Sequence, residues 1–188
     1  MGQPNTSTRR PRLTSTVTVA AVLVIASSGC GLASGMASSE RLQLEPIGVS
    51  SPRVRDGGPL PSDYSCKGSA GNPPLRWSRV PEGTRSVAIV VDNNSRTGGE
   101  VNWVVFDIDS RTNELPEGSV PVRAVEGSTS KGTVGYDPPC GPQENYRFTV
   151  YALKDWVGLR KGAPLNETLK SIADKTIAWG RLTTAHLE

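Results

Sequence analysis

The chain has 188 residues, 36% of them apolar, a length and composition that suit one folded domain and exclude wholesale disorder. Fifteen prolines exclude a long-helix architecture, and one histidine with three cysteines and no Cys-x-x-Cys pair argues against a zinc site. The formal charge of +3 arises at the N-terminus, where Arg9, Arg10 and Arg12 precede every acidic residue; beyond them basic and acidic side chains balance, and no basic stripe marks a nucleic-acid footprint.

The first element comes directly after those arginines. Val17 to Ala26 is apolar except for Thr18. A run of that length is too short for a ~30 Å hydrocarbon core. A basic segment, a short apolar segment and small residues after it make a secretory signal, read here as residues 1–29. Ser27-Ser28-Gly29-Cys30 resembles a lipoprotein signal peptidase site, although an aliphatic residue is usual where Ser27 stands. Cleavage there leaves Cys30 able to carry acyl chains, each buried CH₂ contributing ~0.8 kcal/mol to membrane attachment. The alternatives are ordinary cleavage near Ala33 and an uncleaved anchor. Residues 30–45 read as the anchor cysteine followed by a Ser/Gly/Ala tether, and residues 46–188 as the folded domain.

Within that domain three runs read as buried strands: Val87 to Val91, Val101 to Ile108 and Tyr146 to Leu153. One helix is expected from the spacing of Leu165, Leu169, Ile172 and Ala173, with Ala178 extending the pattern, Pro164 and Asn166 at its start and Gly180 at its end. These elements make a mostly-β domain with one or two peripheral helices. With Cys30 lipidated or removed, Cys66 and Cys140 remain as an even pair in an exported domain. They form a disulfide or stand as two separate thiols.

Familiar catalytic patterns are missing. There is no Gly-x-Ser-x-Gly elbow and no Walker loop. A Ser-His-Asp triad would have to use His186, almost at the C-terminus, which reads instead as an exposed bystander. Asp92 ends a buried strand, a position that serves either a site or an Asx-turn. Trp77 and Trp103 read as core.

Several motifs occur in order: Tyr64-Ser65-Cys66-Lys67-Gly68, Asn72-Pro73-Pro74-Leu75-Arg76-Trp77, Val80-Pro81-Glu82-Gly83-Thr84, Asn102-Trp103, Gly135-Tyr136, and Pro138 to Pro142 before Tyr146-Arg147-Phe148. This order resembles bacterial Raf-kinase-inhibitor-like proteins of the phosphatidylethanolamine-binding protein family. The resemblance implies a large central sheet packed against a smaller one, with helices at the periphery. It also implies an anion pocket built from an Asp-Pro-Asp segment, a His before Trp, a Gly/Pro-rich loop and a His before Arg-Tyr.

Carried onto this chain, the resemblance implies a ligand site at Asp92, Asn102, Tyr136, Pro139 and Asn145, with Asn102 and Asn145 standing in place of the two histidines. Asparagine keeps a donor and an acceptor but no charge, so a free dianion is expected to bind weakly and a neutral or zwitterionic polar group to fit better. The expected arrangement has the amides of Asn102 and Asn145 donating to a shared Asp92 carboxylate. A Cys66–Cys140 disulfide beside that site is the expected pairing. No cofactor or metal and no nucleic-acid partner is expected. The expected protein is a non-enzymatic lipoprotein on the extracytoplasmic face of the cell membrane, binding a small polar or phosphorylated ligand or modulating an envelope protein. The alternatives are a vestigial pocket with a purely surface-mediated role, and an enzyme.

Overall fold

Alternation within one strand explains the layers. In the computed structural model, which describes residues 2, 47–94, 99–141 and 143–187, Val87, Ile89 and Val91 enter one hydrophobic cluster while Ala88 and Val90 enter a second. A strand buried on both faces must lie at the centre of a sheet that is covered on both sides. This strand is β3 (Ser86–Asn93), and it occupies the middle of a five-stranded antiparallel sheet. The remaining strands are β1 (Gly48–Ser50), β2 (Leu75–Ser78), β4 (Val101–Asp109), β5 (Glu114–Leu115), β6 (Val125–Glu126), β7 (Tyr146–Leu153) and β8 (Thr176–Thr183).

The large sheet runs β6-β4-β3-β7-β8, and the small one runs β1-β2-β5. The small sheet contributes Val49, Leu75, Trp77 and Leu115 to the first cluster. The helix α1 (Leu165–Lys175) contributes Ile172 to the second, with Leu165 and Leu169 packed beside it. The architecture is the mostly-β two-sheet fold expected from the sequence, with one α-helix and a short 3-10 turn at Ser62–Tyr64 among the described residues. Trp77 and Trp103 are both core residues. The division of the chain into units at Met1–Ser39 and Glu40–Glu188 leaves all these elements in the second. Cys30 and the tether lie outside the described residues.

The helix is shorter than its apolar spacing suggests. It stops at Lys175, and residues 176–183 form β8, paired along the whole of β7. Thr176 ends the helix by donating its hydroxyl to the Ile172 carbonyl at 2.7 Å. Gly180 is therefore not a helix terminator. It lies in β8 where the Ile47 backbone crosses, and a Cβ at this position would collide with the Ile47 carbonyl. The Ile47 amide bonds to the Trp179 carbonyl at 3.1 Å.

β4 carries two irregularities, one near each end. Val91 pairs with Trp103 but Asp92 pairs with Val101, so Asn102 is an extra residue on β4. Val87 pairs with Ile108 and Ile89 with Val105, so a second extra residue falls at Phe106–Asp107. Such bulges bend a strand and re-aim its side chains.

Candidate functional site

The first bulge lies where β3 ends, β4 begins and β7 begins. Asn102 is 4% exposed. Its backbone carbonyl accepts the Asp137 amide at 2.9 Å, and its Nδ2 donates to the Asp137 carbonyl at 3.2 Å. Its Oδ1 is buried and has no partner among the described residues. A buried acceptor without a donor costs about 1–3 kcal/mol, so this atom marks a place where a donor would be welcome.

The loop from Gly135 to Gly141 ties that residue to β7. Gly135 holds φ at +108°, a conformation open to glycine and strained for other residues. Tyr136 then packs edge-on against Trp103, with ring centroids 5.6 Å apart, and donates to the Tyr64 carbonyl at 3.0 Å. Burial pushes its hydroxyl far above the ordinary tyrosine range. Pro139 is buried, and its carbonyl accepts the Cys66 amide at 2.9 Å. Cys66 and Cys140 form the disulfide, with Cα atoms 5.4 Å apart. Farther along, the Gly141 amide donates to the Tyr146 hydroxyl at 2.8 Å.

Tyr146 opens a second polar group. Its hydroxyl donates to Glu144 Oε2 at 3.0 Å, and Asn93 Nδ2 donates to that same oxygen at 2.7 Å. Asn93 is 2% exposed, and its Oδ1 accepts the Glu100 amide at 2.7 Å. Burial, aided by the Glu144 carboxylate, pushes the Tyr146 hydroxyl up to about 12. The Glu144 carboxylate is thus held by two neutral donors.

Two of the expected site residues fall elsewhere. Asp92 lies on the β3 face of Ala88 and Val90, opposite to Asn93, and binds Arg147 of β7 through both carboxylate oxygens, one contact being 3.0 Å to Nε. The amides of Asn102 and Asn145 do not donate to it among the described residues. Asn145 is exposed, and its carbonyl accepts the Asn94 amide at 3.1 Å. The structure therefore gathers Asn102, Tyr136 and Pro139 along one loop. The sequence neighbours of Asp92 and Asn145, Asn93 and Glu144, form with Tyr146 a separate polar cluster at the same sheet end. His186 is exposed; its backbone carbonyl accepts the Leu60 amide at 2.7 Å.

Strand alternation was the signal for Asn93. Val87, Ile89 and Val91 share one face, and the next residue on that face is 93. Tyr146 begins β7 as a buried residue. A carboxylate reaching back to its hydroxyl from two positions earlier has no comparable sequence cue.

The profile of the phosphatidylethanolamine-binding protein family matches residues 50–186. The chain belongs to this family. Among its relatives, a candidate lipoprotein named LppC from Mycobacterium tuberculosis (strain CDC 1551 / Oshkosh) is 33% identical, with 97% of each chain covered. A UPF0098 protein of Pyrococcus abyssi is 32% identical, with 65% of this chain and 75% of that one covered. Two crystal structures superpose with TM-scores of 0.69, each covering 76% of this chain and 98% of the other. They are CT736 from Chlamydia trachomatis, described as a candidate family homologue and 28% identical, and YbcL from E. coli, 26% identical.

Proposed function

We propose that this family member is an exported lipoprotein held through Cys30 at the extracytoplasmic face of the cell membrane. Its domain works there as a binding module for a small polar group that leads with a hydrogen-bond donor. The observation that carries the binding reading is the buried, unpartnered Oδ1 of Asn102. A neutral amide oxygen accepts and does not donate. The carboxylate of Glu144, on the same sheet end, adds negative charge rather than the positive charge that a free phosphate requires. A neutral donor or the ammonium end of a zwitterion suits that chemistry, and a dianion does not.

Catalysis by proton transfer has little support. The nearby tyrosines hold their protons tightly, and the single histidine of the sequence is His186. The location reading is supported by the sequence around Cys30 and by LppC. The match to that candidate lipoprotein spans 97% of this chain, too much to leave out the Cys30 region.

Thermal shift with ethanolamine, phosphoethanolamine and inorganic phosphate tests the binding reading. Stabilisation by the two amines, lost in Asn102→Leu, is expected. Stabilisation by phosphate alone would contradict it.

A further inference from the structure

The second bulge of β4 lies at the opposite end of the strand and borders a different cavity, about 490 Å³ in volume. Asp107, Asp109, Arg111, Arg123, Val122 and Trp156 line it. That volume falls within the ~300–1,000 Å³ usual for small-molecule sites. A neighbouring hollow of about 330 Å³ shares Asp109, Arg111 and Trp156 with it.

Two residues on the walls of this cavity are held in the left-handed region. Asp107 has φ +57° and Arg123 has φ +73°. Neither is glycine, and backbone strain of this kind collects at functional sites. Each has an identifiable local setting. Asp107 accepts the amides of Val157 and Gly158 at 2.6 and 3.0 Å, which fixes the segment that presents Trp156. Arg123 is the third residue of a turn closed by the Ala124 amide on the Pro121 carbonyl at 3.0 Å, a position that ordinarily calls for glycine.

The charges are unequally engaged. Asp109 is occupied by Arg111, with contacts of 3.0 Å to Nε and 2.8 Å to Nη2. The Asp107 carboxylate is occupied by the two loop amides. Arg123 makes no ion pair within 4.0 Å among the described residues, although, behind Arg111, its charge helps to hold the Asp109 carboxyl low, and it faces the same cavity as an indole that is 40% exposed. Val122, 90% exposed, extends the apolar surface beside it.

We propose that this cavity is a second binding site, for a small organic anion that joins a carboxylate to a flat or ring-shaped apolar group. The carboxylate pairs with the fork of Arg123, and the ring lies on Trp156. This site is independent of the Asn102 site.

The test uses the indole N–H signal of Trp156 in the full chain, with benzoate as the probe and benzyl alcohol and inorganic phosphate as controls. Saturable movement of that signal by millimolar benzoate is expected, weakened roughly tenfold or more in Arg123→Gln, as loss of one charge-assisted contact implies. Arg123→Gly suits the left-handed turn, so it removes the guanidinium without threatening the fold, and the same weakening is expected. An Asn102→Leu variant should bind benzoate unchanged. No saturable movement, undiminished affinity in both Arg123 variants, or equal binding of benzyl alcohol or phosphate would overturn the proposal.

Discussion

Asp92 faces Arg147 across the β3–β7 rung and engages its guanidinium through both carboxylate oxygens. The pair is partly exposed, at 23% and 27% of the two side chains, and sits on the face of the sheet opposite to Asn93. Its role is to join two central strands near their ends.

The first prediction comes from that pairing. Asp92→Asn is expected to destabilise the domain by about 1–2 kcal/mol, as loss of a partly screened bidentate pair implies. It should leave ethanolamine binding unchanged. Chemical denaturation of Asp92→Asn, Arg147→Gln and the double variant gives the coupling directly. Additive effects of the two substitutions would show that the pair contributes nothing jointly.

The second concerns the disulfide. Cys66 and Cys140 are 74 positions apart, and the loop-entropy argument assigns such a crosslink about 4 kcal/mol at most. Non-reducing peptide mapping should recover the linked pair. Replacing both cysteines by Ser should lower the denaturation midpoint. An unchanged midpoint would mean that the backbone contacts already hold the loop, such as the Cys66 amide on the Pro139 carbonyl.

The legible parts of this fold were those with a local cause. Val87 to Val91, Val101 to Ile108 and Tyr146 to Leu153 are short β-branched and aromatic runs between turn residues, and all three are strands. β8 was hidden because Ala178 continues the apolar spacing of the helix; pairing with β7 decides its conformation, and that is a long-range contact. The two-residue strands β5 and β6 exist only through their partners. At the candidate site, the family resemblance pointed to the end of the large sheet where β3 ends and β4 and β7 begin. The Asp92–Arg147 pair and the Asn93–Glu144–Tyr146 cluster were not legible, because each joins residues more than fifty positions apart across the β3–β7 pairing.

The third prediction concerns alkaline stability. Tyr146 is pushed from about 10 up to about 12, mainly by burial, and Tyr136 moves in the same direction. A phenol whose folded value exceeds its unfolded one favours folding fully below about pH 10. That contribution is lost as pH rises through the folded value. Stability measured by denaturation should therefore fall above pH 10, and less steeply in Tyr136→Phe and Tyr146→Phe. Identical slopes in all three proteins would contradict the assignment.

The fourth concerns Cys30. Intact mass of the membrane-fraction protein should correspond to a chain starting at residue 30 with diacylglyceryl and acyl additions. Cys30→Ala should release the protein from the membrane. A mature N-terminus downstream of Cys30 would contradict lipid attachment.

The central claim is that the buried Asn102 oxygen receives a donor group, and the side-chain amide signal of Asn102 reports on it most directly. Ethanolamine and inorganic phosphate would be titrated against labelled protein between about pH 5 and pH 8, the range in which an imidazole changes charge. The account predicts saturable movement of that signal with ethanolamine, at an affinity nearly constant across the range, and none with phosphate. Movement driven by phosphate, or an affinity that changes steeply near pH 6.5, would contradict it.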